Sequence, residues 1–214
     1  MEKTENTYFY NKCENDIFNP EYFEKLNDED KKIYLDNVNL EVSYNNDNWK
    51  PIHYICACST PEMIKHIIDK GVDLECKTKN NWKPIHFICR FSTSEMIKYI
   101  IDKGVDLECK NNNNWKPIHF ICKYSTIDIL QYLIDKQGDI NLPDENGNRL
   151  IHIACMVAKL DKIKYLIITG SDLNVKNNLG YTPIHYMYNH LGVEELRELK
   201  NDGYIHRKKH RVST

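Results

Sequence analysis

Five histidines, His53, His86, His119, His152 and His185, stand 33 residues apart in unbroken succession. A period held to the residue over most of a chain constrains folding more than any composition does. A unit of that size buries too little surface to stand alone and gains its core only by stacking on like neighbours. Whole phrases run in step with the histidines. "NNWKPIHFIC" at 80–89 returns letter for letter at 113–122, "DNWKPIHYIC" at 47–56 is a near copy, and "IIDKGVDLECK" at 67–77 recurs at 100–110. Gly71, Gly104, Gly138, Gly170 and Gly203 close successive units; Gly138 falls one place late because "DKQGD" carries an extra residue that the next turn gives back.

Each unit reads as two helices. In "PIHFICRF", Pro84 suits a first helical turn, where its missing N–H costs nothing, and Ile85, Ile88 and Cys89 share one face. In "STPEMIKHIIDKG", Ser59 or Thr60 is the N-cap and Pro61 the start; Met63, Ile64, Ile67 and Ile68 form the apolar stripe, and Gly71 ends the helix. The stretch from Val72 to Asn81 loses helical spacing and ends, like its counterparts, in an Asn-rich turn: "YNNDNW", "KTKNNW", "KNNNNW". Asn tolerates positive φ better than most residues, which makes these tight turns.

In this order and spacing the chain resembles the ankyrin repeat, whose T-P-L-H-x-A phrase stands here as "YTPIHYM" at 181–187, "WKPIHFI" in two units and "RLIHIA" at 149–154. The resemblance implies an all-α fold, an ankyrin-repeat solenoid of stacked helix-turn-helix units with β-turn fingers and degenerate end caps. The units are 45–77, 78–110, 111–143, 144–176 and 177–209, the last a C-terminal cap because Glu195 and Lys200 stand where Met63 and Ile68 stand earlier. Residues 12–44 read as a degenerate N-terminal capping half-repeat, 1–11 as a flexible N-terminus and 210–214 as a basic tail. The near-verbatim copies also look like the expanded ankyrin families of giant DNA viruses of amoebae (mimivirus-like). Two departures stand out. The family's capping Thr survives only as Thr182, with Lys50, Lys83, Lys116 and Arg149 elsewhere, and loss of such a cap is expected to cost about 1 kcal/mol per helix. Asn48, Asn81 and Asn114 replace the turn Gly that Gly147 and Gly180 retain.

The repeated H-x-x-C, His53/Cys56 through His152/Cys155, invites a metal reading. Zinc needs four ligands within about 2.3 Å of one ion, whereas stacked helices sit about 8–10 Å apart, beyond disulfide reach as well. The five histidines are therefore expected to be structural, and the repeat cysteines reduced, buried and apolar in role, with no metal and no cofactor. G-x-x-x-x-G-K-[ST], G-x-G-x-x-G and G-x-S-x-G are all missing from the sequence, so no enzyme is expected. With 29 basic against 31 acidic residues the chain has no global pull on phosphate or an anionic membrane. No apolar run approaches a membrane span and the start is not a signal peptide, so the expected place is intracellular and soluble, the host cytoplasm if viral, with the nucleus open.

Function then falls to positions that the repeat leaves free. The resemblance puts partner binding on turn tips and the exposed side of each first helix, a concave face. Here that means Lys79, Asn80, Trp82, Arg90 and Phe91 in one unit and Asn112, Asn113, Trp115, Lys123 and Tyr124 in the next. Trp49, Trp82, Trp115 and Tyr181 make an aromatic ladder that is either binding surface or turn packing. The expected partner is a protein, from the host if the chain is viral, and the chain a monomer. Two alternatives are a ubiquitin-ligase adaptor using "IFNPEYFEKL" at 17–26 as a docking helix and, more weakly, nucleic-acid binding through "HRKKHR" at 206–211.

Overall fold

The computed structural model describes residues 18–205, except for Gly138 and the side chain of Gln137. The readings for 1–11, for the basic run at 206–211 and for the tail lie outside the described residues, as do 12–17 of the N-terminal cap. Among the described residues there are 12 helices and no strand. The chain divides into two compact units between Asn112 and Asn113.

In the first unit α1 (Pro20–Glu24) and α2 (Asp28–Asn37) precede two helix pairs, α3 (Pro51–Cys58) with α4 (Pro61–Asp69), and α5 (Pro84–Phe91) with α6 (Ser94–Asp102). α3 packs on α5 and on α4, α5 on α6, and α2 on α4. The stripe read from the sequence faces inward: Met63, Ile64, Ile67 and Ile68 of α4 and Met96, Ile97, Ile100 and Ile101 of α6 are all buried. Each contributes about 1.5–3 kcal/mol of burial. Thr60 and Thr93 cap these second helices, accepting from the backbone N–H of Met63 and Met96. The N-terminal end is closed by aromatic rings. Phe18 and Phe23 are buried and sit 5.4 Å apart, and Phe18 also meets Tyr34, Tyr44 and Tyr54.

The second unit repeats the plan with α7 (Pro117–Tyr124) and α8 (Ile127–Gln137), α9 (Leu150–Met156) and α10 (Leu160–Ile168), and α11 (Pro183–His190) and α12 (Val193–Asn201). α9 packs on α7, α10 and α11, and α8 on α10. At its end Leu199 is buried, Glu195 half-buried and Glu194, Glu198 and Lys200 exposed, so α12 turns a charged face outward.

The Asn-rich segments are turns of positive φ, with Asn48, Asn81 and Asn114 at 59°, 58° and 57° and Gly147 and Gly180 at 75° and 81°. Adjacent tips are tied by one backbone bond each. The Lys79 N–H donates to the Asp47 carbonyl (2.8 Å) and that of Asn112 to Asn80 (3.1 Å). In the second unit Glu145 donates to Asn113 (3.0 Å) and Asn178 to Asn146 (2.9 Å). The same 32-residue offset in all four shows how the period ties neighbouring tips within each unit.

Candidate functional site: the turn tips and first helices

Four of the five repeat histidines are held at both nitrogens and the fifth, His185, at Nδ1. The N–H of the residue before the helix donates to Nδ1 three residues on: Lys50 to His53 (3.0 Å), Lys83 to His86 (2.9 Å), Lys116 to His119 (3.0 Å), Arg149 to His152 (3.1 Å) and Thr182 to His185 (3.0 Å). With Nδ1 accepting, Nε2 carries the proton. It donates across the unit to the carbonyl 23 residues later, of Cys76 (3.2 Å), Cys109 (3.4 Å), Leu142 (3.3 Å) and Val175 (3.1 Å). His53, His86, His119 and His152 are buried, and burial pulls the imidazoles of His53, His119 and His152 below their ordinary value. His185 is exposed.

The H-x-x-C spacing is not the contact the fold makes. The sulfur nearest His53 Nε2 is that of Cys76, at 3.5 Å, and nearest His86 it is Cys109, at 3.7 Å. Burial pushes the thiols of Cys76, Cys109 and Cys122 up to about 12 and those of Cys56, Cys89 and Cys155 upward too. Such groups are thiols rather than thiolates at neutral pH and make poor nucleophiles. Among the described residues no three His, Cys, Asp or Glu side chains converge as metal ligands.

The lysines in the Thr position overturn one expectation. The group that a capping Thr would serve, the backbone N–H of the histidine, donates in all five units to the carbonyl of the residue before the helix (2.9–3.0 Å), so loss of Thr does not leave it bare. The lysine is redeployed instead. Lys83 is buried, with its ammonium on the Glu75 carboxylate and 2.9 Å from Asp106; Lys50 stands 2.7 Å from Glu41. Burial pulls the Lys83 ammonium down, but the two carboxylates outweigh it and hold it above its ordinary value.

The aromatic ladder is partly packing. Phe87, buried on α5, lies 4.9 Å from both Trp49 and Trp82; Trp115 meets Phe120 at 4.9 Å and Tyr181 meets Tyr186 at 5.9 Å. The three Trp rings are half-buried. Their outer faces take part in a second arrangement. In the first unit the Arg90 guanidinium lies 5.7 Å from the Trp82 ring and 4.8 Å from Phe91. In the second, the Lys123 ammonium lies 5.4 Å from Trp115 and 5.2 Å from Tyr124. Lys79, Asn80, Asn112 and Asn113 stay at exposed tips, while Tyr181 joins no such cluster.

The family model described as Ankyrin repeats (3 copies) matches three times, at 26–111, 52–144 and 86–177, which together span most of the chain. The chain belongs to the ankyrin-repeat family. No curated protein matches it. Ankyrin repeats are generally protein–protein interaction modules, and this ankyrin-repeat protein has an all-α repeat fold. Among its described residues no helix is long and apolar enough to cross a membrane. In the described part of the segment from 17 to 26, Phe18 and Phe23 are buried in the aromatic end and Tyr22 and Leu26 are half-buried.

Residues beyond the sequence reading complete the surface. Buried Asp144 accepts from the N–H groups of Asn146 and Asn148 at 2.9 and 2.8 Å and from Trp115 Nε1 at 3.2 Å, fixing the ring next to Lys123. Lys162, buried where α4 and α6 carry Met63 and Met96, donates to the carbonyls of Ile121 (3.3 Å), Cys122 (2.6 Å) and Ser125 (2.6 Å). It thus closes the C-terminal end of α7, the turn that carries Lys123 and Tyr124. An Asp at the head of an Asn-rich turn signals the first role; the second has no local signal.

Proposed function

We propose that this ankyrin-repeat protein is a non-enzymatic binding module that holds a partner protein on its turn tips and the exposed edges of its first helices, the concave face of the family. The observation that carries this reading is where the near-identical units differ. "PIHFICRF" and "PIHFICKY" diverge only at their last two residues, and the divergent rings are exposed, Phe91 at 53% and Tyr124 at 44%, while the shared residues beneath are buried. Divergence confined to the exposed end supports a surface that acquires specificity on an unchanged frame. The repeat units are taken at 45–77, 78–110, 111–143, 144–176 and 177–209, acting as a monomer without cofactor. The likeness of the copied units to ankyrin families of giant DNA viruses supports a host-cell protein as the partner.

The test is affinity capture from native cell lysate, wild type beside an Arg90/Phe91/Lys123/Tyr124→Ala variant with helical content checked by circular dichroism. Loss of a captured protein by the folded variant is the expected result. A partner retained at wild-type level removes the surface from consideration. A Trp49/Trp82/Trp115→Ser variant is a poorer probe, because those rings also pack on Phe87 and Phe120.

A further inference from the structure

The proposed surface has a chemistry of its own. In each of two successive units a cation lies against two aromatic rings, one from the turn and one from the following position on the helix: Arg90 with Trp82 and Phe91, and Lys123 with Trp115 and Tyr124. Both the cation and the helix ring change identity between the units, Arg to Lys and Phe to Tyr, yet the arrangement is kept. The first repeat has Ala57 and Cys58 at the same positions, and the fourth has Met156 and Val157, so the repeat itself does not demand it.

Each cation–ring contact is worth about 0.5–1 kcal/mol at an exposed site and holds the cation in a defined place. The rings beside it are apolar and their outer edges are open to solvent: Phe91 and Tyr124 are exposed and the tryptophans half-buried. A preplaced positive charge walled by rings accepts an anionic group whose neighbours are flat or apolar. Carboxylate matches both cations, as a fork to guanidinium and as a point contact to ammonium. A long polyanion matches less well, because exposed carboxylates stand on the adjoining tips, Asp47 on the tip bonded to that of Lys79 and Glu145 on the tip bonded to that of Asn113.

We infer that each of the two clusters, taken by itself, receives an acidic protein segment in which Asp or Glu stands beside aromatic or apolar residues. This rests on the reading of the surface as a protein-binding one and adds the class of sequence bound. Trp82 and Trp115 are built-in reporters, and Trp49, in a unit without a cluster, is the internal control.

The probe is a random copolymer of Glu and Tyr, followed by tryptophan emission with excitation at 295 nm, where tyrosine absorbs little. Poly-Glu and a thymidine oligonucleotide are comparison ligands. The expected result is saturable binding of the Glu/Tyr copolymer, weaker binding of poly-Glu, and at least a tenfold loss in an Arg90→Glu/Lys123→Glu variant. Arg90→Lys/Lys123→Arg retains binding, and Trp49→Phe leaves the signal in place. No copolymer binding, or binding undiminished by charge reversal, overturns the inference, and tighter binding of the oligonucleotide than of the copolymer overturns it in favour of nucleic acid. Should charge reversal impair folding, Arg90→Gln/Lys123→Gln answers the same question. The broader reading is separable: a lysate partner lost by the Ala variant yet kept by charge reversal leaves the surface standing and removes only the acidic chemistry.

Discussion

A single histidine per unit does two tasks that the fold needs. It relieves the helix-entry N–H through Nδ1 and pins the far end of the same unit through Nε2; both bonds are made in four of the five copies, and at His86 both are buried. His86→Ala removes both and leaves a buried N–H and the Cys109 carbonyl unpaired, so it is expected to destabilise by about 2–4 kcal/mol. His185→Ala is the control: its ring is exposed and its loss should cost less than about 1 kcal/mol. Urea unfolding of the two variants checks the contrast, and equal losses would mean that the cross-unit bond contributes nothing. The exact period made these residues legible in the sequence. The thiol that each imidazole meets was not legible, because Cys76 lies 23 residues beyond His53 and only the fold brings them together.

At the level of elements, turns and helix ends carry the differences between units. Asn81 holds φ at 58°, where a Cβ-bearing residue without a local polar side chain loses about 1–2 kcal/mol. Asn81→Ala should therefore lower the urea midpoint, while Asn81→Gly, which fits that conformation freely, should stay near wild type after losing its bond to Asn112 Oδ1. Gly147 tolerates no such exchange, because a Cβ there would lie 2.5 Å from Asn178 Oδ1 and 2.9 Å from its backbone nitrogen. Helix boundaries and inward faces follow from proline, threonine and 3.6-residue spacing, so they were readable. Lys162 was not. A lysine in a methionine position suggests an exposed face, but its carbonyl partners are 37 to 41 residues earlier. Lys162→Ala removes the ammonium donor from the end of α7 and opens a cavity, an expected loss of about 3 kcal/mol or more, whereas Lys162→Met keeps the packing and loses less. Amide exchange at Ser125 should rise in both, since the end of α7 loses its closure.

For the whole molecule, repetition turns small residue-level effects into a narrow pH range, because equivalent groups in several units add terms of the same sign. On the acid side the folded imidazoles of His53, His119 and His152 lie below the ordinary 6.5. The unfolded chain therefore binds more protons as pH falls below 6.5, and stability declines until the lowered folded values are passed. The slope reaches about 1.4 kcal/mol per pH unit for each histidine, about 4 for three. On the alkaline side six buried thiols have raised values, against an ordinary 9.0. Their contribution is complete below about pH 9 and is lost as the unfolded thiols ionise while the folded ones do not, at up to about 8 kcal/mol per pH unit for six. Lys162 acts the other way: burial lowers its ammonium from 10.5, so stability from this group rises with pH up to that value, but one lysine stands against six thiols. Urea midpoints under reducing conditions should thus be highest near pH 7–8, fall below 6.5, and collapse between 9 and 11. Cys56→Ala/Cys89→Ala/Cys122→Ala should lower the neutral midpoint yet flatten the alkaline limb by about half. An alkaline limb as steep as wild type in that variant would assign the loss to groups other than the stacked thiols.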